Sequence, residues 1–334
     1  MLSQKTFGNF ALIPAIIGAV VCLFFIRSGF AVLFFLLPLG FIGYGWGPKT
    51  LWACLLFAIA GNIVLTLLMG LSFRIPGGDM VWDIIYFISM TAAFAWIILP
   101  FDEKSMLIPG AYRLALGACL TTMIFIGLFF RTMSNPVFFE FLSSQIELIF
   151  SFYRPASEAQ NTVSGFPDTL IIVELMKSII LHGGALFSSV IILFVNRQLS
   201  LFLIRIFGGP RRKNVFMTFH VYPQIFWALV FSILLIVVSN MFAIGAFGAI
   251  CWNVVVLCAM MYLAQGFGII RYFMSWHRFP SFLRFLVPVI FIILLFNPAI
   301  NMLMVGAVIV LGIVENWVSF RSLNINGPPS TPQA

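Results

Sequence analysis

Apolar residues along this chain come in continuous runs of roughly 17–22 residues, not in the short alternating segments of a barrel strand. The runs fall near 10–26, 30–46, 51–72, 80–100, 114–130, 183–206, 224–244, 248–270, 285–298 and 301–319. A bilayer offers the backbone no water, so an uninterrupted apolar run of this length predicts a helix that satisfies its own polar groups. The pattern therefore predicts an all-α, polytopic transmembrane helix bundle of about ten spans. The first run follows a short segment containing Lys5 and has no small-residue cleavage site before Arg27, so it is expected to stay as an uncleaved helix. The ninth run is short for a full crossing.

Two segments break the pattern. "NPVFFEFLSSQIELIFSFY" opens with Asn135-Pro136, a helix-start signal, and then places Glu140, Ser144, Glu147 and Ser151 on one helical face. It predicts an amphipathic helix lying in the outer interface. "VELMKSIILHGG", Val173 to Gly184, carries Glu174, Lys177 and His182 at the edge of an apolar run. One straight helix from Thr169 to Ile206 is too long for a crossing of about 30 Å. Gly183-Gly184 is the natural break, which leaves 169–182 as an interfacial or tilted segment before the sixth span. Glu174, Ser178, His182, Ala185, Ser189 and Asn196 then share a polar or small face of the kind that turns into a bundle.

Composition sharpens this picture. Of 334 residues, 62% are hydrophobic and 8% charged, with 40 phenylalanines, which excludes an ordinary soluble domain. The net charge of +8 comes from basic residues between spans, so it points to orientation rather than to nucleic acid. Arg205, Arg211, Arg212 and Lys213 form one cluster; Arg271, Arg278 and Arg284 form another. Placing both inside puts both termini in the cytoplasm and the acidic 132–168 loop outside, with Arg27 and Arg74 as exceptions. The five cysteines all sit within apolar runs without a CxxC pair, which argues against disulfides and zinc. Asn62, Asn240, Asn253 and Gln265 lie within spans and are expected to make interhelical hydrogen bonds. The tail "NGPPSTPQA" is polar and Pro-rich, and is expected to be disordered.

"FLLPLGFIGYGWGPKTLWACLL" (Phe35–Leu56), "YPQIFWALVFSILL", "YLAQGFGIIRYF" and "GIVENWVSFR" resemble, in order, landmarks of the YybS-like family of bacterial membrane proteins. That family is distantly similar to the substrate-capturing S-components of energy-coupling-factor transporters. The resemblance implies a multi-pass protein of the bacterial cytoplasmic (inner) membrane with an S-component-like six-span half over 1–206; the four runs over 207–321 are a further half beyond such a core, followed by the tail over 322–334. It also implies docking of a coupling subunit through small residues on the first helix, where Ala11, Ala15 and Ala19 recur every four residues.

Candidate chemistry is sparse. Glu174, Lys177 and His182, with Asp83 one turn into the fourth span, are the candidate outer ligand mouth, because ionisable groups at membrane depth tend to line cavities. The plain alternative is an interfacial anchor with Glu174 and Lys177 paired along one helix. Arg211, Arg212 and Lys213 are candidate partner-docking residues, beside the alternative that they only orient the chain. No HExxH, GxSxG or Walker motif is present, so no catalytic residue, metal or cofactor is expected and any ATP use would come from another chain. Two functions lead, an S-component-like subunit that binds a small solute, partnered by the bilayer and a coupling ATPase complex, and a non-transport scaffold subunit of a larger membrane assembly; a membrane enzyme ranks third.

Overall fold

The computed structural model describes residues 11–28, 30–69, 80–99, 110–153, 169–208, 219–242, 244–276, 298–318 and 320–321, with a few isolated positions between 280 and 290. Among these residues all regular structure is helical. The chain divides into two compact units, Met1–Arg212 and Lys213–Ala334.

The first unit contains α1 (Leu12–Arg27), a 3-10 segment (Phe30–Phe34), α2 (Leu37–Trp46), α3 (Pro48–Met69), α4 (Met80–Ile98), α5 (Gly110–Met133), α6 (Pro136–Tyr153), α7 (Thr169–Ile179) and α8 (Ala185–Ile206). α1 packs on α3 and α2, α4 on α5, and α8 on α2 and α5. The second unit contains α9 (Gln224–Met241), α10 (Gly245–Trp276) and α11 (Pro298–Val314), with α10 packed on both others.

Among the described residues, five helices are long and apolar enough to cross a membrane: Pro48–Leu68, Tyr112–Met133, Leu170–Ile206, Gln224–Met241 and Phe247–Met274. Leu12–Arg27, Val32–Trp46, Asp83–Ile98 and Ile300–Val314 are shorter apolar helices. The expected span at 285–298 lies almost wholly outside the described residues. The expected span at 248–270 runs on to Trp276, because nothing between 271 and 276 breaks a helix.

Polarity is arranged for lipid. On α9 the buried positions are Leu229, Ser232, Ile236 and Ser239, while Phe231, Leu234, Val237 and Met241 are exposed. Thr50, Asn62, Thr66, Thr91, Thr121 and Thr122 are likewise buried in the first unit. A water-soluble helix is written the other way round. Arg27, one of the two orientation exceptions, follows the same logic. From the C-terminal end of α1, where a cation is favoured by the helix dipole, its Nη2 donates to Asn62 Oδ1 at 3.1 Å and Thr66 Oγ1 at 2.5 Å on α3.

α6 begins where Asn135-Pro136 predicts. The Asn135 side chain accepts the Val137 N–H at 3.1 Å, and Pro136 takes the first position, where no N–H is required. Glu140, Ser144 and Glu147 are exposed and Ile146 is buried, so the helix lies amphipathically against α5 and α7.

In the second unit α10 and α11 cross antiparallel at two glycines. A Cβ on Gly266 would strike the Val308 carbonyl, and one on Gly312 would strike the Tyr262 carbonyl. Lipid gives no hydrophobic drive between helices, so close backbone approach is what holds them. Gly266→Ala and Gly312→Ala should each destabilise the unit by about 1–3 kcal/mol. Gly306→Ala, with nothing within 4 Å of the new methyl, should be neutral. Thermal unfolding of the detergent-solubilised protein measures this, and equal melting temperatures for all three variants would contradict the crossing.

Candidate functional site

The second apolar run is one stretch in sequence and two pieces in structure. Pro38 has no N–H to offer the Phe34 carbonyl and is tolerated only in a first helical turn. The chain accordingly passes from the 3-10 segment through a turn at Phe35-Leu36 into a new helix with Pro38 in its first turn. Phe35, Leu36 and Leu39 are buried, so the interruption lies inside the unit. Irregular backbone at membrane depth is tolerated where protein covers it and supplies the missing partners.

α8 supplies them. Asn196 Nδ2 donates to the Leu33 carbonyl at 2.7 Å and to the Ile192 carbonyl of its own helix at 2.7 Å. One turn on, Ser200 Oγ lies 3.2 Å from the Leu37 carbonyl and 2.7 Å from the Asn196 carbonyl, sharing its single proton between them. The constant offset of these two pairs shows that α2 and α8 run parallel. Gly40 makes the approach possible, since a Cβ there would collide with the Ser200 side chain. Farther along the same face, Thr122 Oγ1 of α5 donates to Ser189 Oγ at 3.1 Å. Ser189, Asn196 and Ser200 are all buried, and Asn196 and Ser200 completely so.

Among the described residues this seam has one unmade bond. Both neighbours of the Asn196 amide are carbonyls, so its nitrogen must face them and its oxygen must face away. Asn196 Oδ1 is buried and has no donor among the described residues. An acceptor left unsatisfied in a protein interior costs about 1–3 kcal/mol, and such a group calls for a water or a ligand.

The candidate outer mouth is placed as follows. α7 ends at Ile179 and the chain kinks through Ile180–Gly184, where Gly183 takes a φ of 120°, a conformation glycine adopts without strain. The Ala185 N–H reaches back to the Ile180 carbonyl, five residues away, so the kink inserts one extra residue into the helical ladder. The expected polar face is therefore split. Its α8 half, Ala185, Ser189 and Asn196, is buried, whereas Glu174 and Ser178 on α7 are exposed and His182 is half-buried. Lys177 Nζ meets Glu174 Oε1 at 2.8 Å and stands 5.9 Å from the Phe139 ring centroid on α6. The His182 ring donates from Nδ1 to the Ser178 carbonyl at 2.7 Å, which caps the interrupted helix. Asp83 is exposed in the first turn of α4.

The candidate docking residues fare differently. Ala15 and Ala19 are buried and Ala11 is half-buried, with the Ala11 N–H donated to Thr50 Oγ1 at 3.3 Å. The protein's own α3 and α2 cover this alanine face, because small residues let its helices pack closely. Arg211, Arg212 and Lys213 lie outside the described residues.

The second unit holds a polar node that sequence reasoning took one residue at a time. Gln265 is fully buried, accepts the Val221 N–H at 2.6 Å and donates to the Gly312 carbonyl at 3.0 Å. Glu315 is buried against Arg321, whose Nε and Nη2 lie 2.8 Å from its two carboxylate oxygens. Asn316 donates to the Tyr262 hydroxyl at 3.1 Å, and the Tyr272 hydroxyl donates to the Arg321 carbonyl at 3.1 Å. The stretches "YLAQGFGIIRYF" and "GIVENWVSFR" thus meet in one network. Of the asparagines expected to bridge helices, Asn62 does so through Arg27, Asn253 donates to the Ala249 carbonyl of its own helix at 2.8 Å, and Asn240 is exposed. Among the described residues no group of three or more His, Cys, Asp and Glu side chains gathers.

Comparison with family models, curated proteins and solved structures finds no match to this chain.

The kink has a direct test. Gly183→Ala puts a side chain at a positive φ, which should cost more than about 1 kcal/mol and favour a straighter α7–α8. Spin labels at 171 and 202 should then move apart in pulsed electron resonance; an unchanged separation and stability would contradict the assigned backbone.

Proposed function

We propose that the first unit is the solute-binding bundle of a transport-associated membrane protein, S-component-like in role, that carries no ATPase of its own. The observation that supports this is the buried, undonated Asn196 Oδ1 beside a broken span. Discontinuous helices at membrane depth are where transporters place their substrates, because freed backbone and side-chain groups there can coordinate a solute. Asn196 asks for a neutral solute offering an N–H or O–H, since its neighbours in the seam are hydroxyls and backbone carbonyls. On this reading the Gly183 kink, with Glu174, Lys177, His182 and Asp83 toward the same end, forms the outer approach to the seam rather than the binding site itself.

The alanine face on which either a coupling subunit or a scaffold partner would dock is covered by the protein's own helices, and the basic loop lies outside the described residues, so neither separates the two readings. The binding reading is preferred because it accounts for a bond that the fold leaves unmade.

Mass spectrometry of small molecules extracted from the purified protein tests the proposal. Wild type should carry a small polar compound. Asn196→Leu and Asn196→Ala should each hold it about fivefold less or weaker still, the order expected for one lost hydrogen bond. Retention of a folded melting transition shows that the loss is not unfolding. A large stoichiometric protein assembly with no bound small molecule, or equal retention by both variants, would overturn the proposal.

A further inference from the structure

The two helices before the Gly183 kink share a pattern of exposure. Successive residues of an α-helix step by about 100° around its axis, so the surface of α7 is mapped from its buried side chain, Val173. Glu174 and Ser178 follow at about 100–140° from Val173, and both are exposed. Ile171, Leu175 and Ile179 come next, at about 160–240°, and they are exposed as well. α6 repeats the order. From its buried Ile146, the exposed Glu147, Glu140 and Ser144 stand at about 100–160°, and the exposed Val137, Leu148 and Ile149 at about 180–300°. Pro136, Gln145 and Leu170 are the exposed residues that depart from it.

Each helix therefore has a buried side, a polar side and an apolar side, in the same rotational order. α6 packs on α7, and Lys177 in the last turn of α7 stands 5.9 Å from the ring centroid of Phe139 in the first turn of α6. Lys177 lies about 40° from Val173 and Phe139 about 20° from Ile146, so the two helices meet through their buried sides. The last turn of one beside the first turn of the other is the meeting of an antiparallel pair. When two helices face each other antiparallel, one rotational order carries both polar sides onto one surface of the pair and both apolar sides onto the opposite surface. A parallel pair would set them in opposition.

The position of this pair follows from α8. With 22 residues α8 is about 33 Å long, enough to cross a hydrocarbon core of about 30 Å by itself. α7 lies beyond the kink and meets the bilayer at its boundary. We infer that α6 and α7 lie side by side in the plane of that boundary and bind the lipid surface. Leu148, Ile149, Leu175 and Ile179 face the acyl chains, while Glu140, Glu147 and Glu174 face water. Lipid is the occupant because an apolar surface left in water at this depth loses about 25 cal/mol for each Å² exposed, and the acyl chains are beside it. The polar surface is acidic, so apolar burial and not attraction to anionic headgroups supplies the contact. This surface does not depend on what binds at Asn196.

Electron resonance of the full-length protein in phosphatidylcholine nanodiscs tests the inference, with single nitroxides relaxed by oxygen from the lipid or by a nickel chelate from water. Labels at 148, 171, 175 and 179 should be relaxed by oxygen and lie at one shallow depth, about 5–10 Å below the headgroups. Labels at 140, 147 and 174 should be relaxed by the nickel chelate. An α7 that continues the direction of α8 would deepen by about 12 Å from 171 to 179, and that gradient would overturn the inference. Shielding of 148 and 175 from both relaxants would also overturn it, because a protein partner or a second copy of this chain would then cover the apolar surface. A Leu148→Glu/Leu175→Glu variant supplies an independent readout. It should bring the 179 label within reach of the nickel chelate and leave a label at 202 on α8 as in wild type, whereas an unmoved 179 label counts against lipid as the occupant. Each comparison is read on variants that retain a cooperative melting transition.

Discussion

A backbone carbonyl released from its helix inside a bilayer has no water to turn to, and the first unit is organised around that constraint. Pro38 interrupts the second apolar run, and α8 lies parallel to the interruption with an asparagine and a serine at the spacing of one turn. Gly40 allows the two backbones to approach, and the Thr122–Ser189 bond ties the same face of α8 to α5. The position of α8 is therefore set by hydrogen bonding rather than by apolar burial, which cannot distinguish one lipid-compatible face from another.

The second unit meets the same environment with a different device. Its helices are joined by glycines pressed against carbonyls; Gln265 ties the segment before α9 to α11, and the Glu315–Arg321 pair holds the turn after α11. A buried ion pair contributes little net stability over an apolar replacement, but loss of one partner strands a charge. Such a pair makes the geometry of α11 and the turn after it all-or-none. In both units the outer surfaces carry Phe, Leu, Ile and Val, while polar side chains such as Ser, Thr, Asn and Gln are buried among apolar ones.

Much of this was legible in sequence, for definite reasons. Run length gave the helices, Asn135-Pro136 gave the start of α6, and the glycine pair gave the break between α7 and α8, because each depends on local chemistry alone. The split of the second apolar run at Pro38 was missed, since a proline near the middle of a continuous apolar run leaves hydropathy unchanged. The polar face from Glu174 to Asn196 was drawn as one stripe because a helical wheel assumes an unbroken ladder; one inserted residue at the kink turns its halves apart. Asn196 was recognised as facing inward, but its partners, Leu33 and Ile192, are backbone carbonyls that no side-chain pattern reveals. Ala15 and Ala19 show the converse: small residues mark close packing without saying whether the neighbour is the same chain.

The central claim is that α8 is docked on the broken apolar run through the contact of Gly40 with Ser200, and a double-mutant cycle in thermal unfolding tests it most directly. Gly40→Ala adds a methyl where the Ser200 side chain stands, and Ser200→Gly removes that side chain. If the contact exists, Gly40→Ala is strongly destabilising alone and much less so in the Ser200→Gly background, so the two changes are non-additive. Additive losses, with Gly40→Ala costing the same in both backgrounds, would contradict the account.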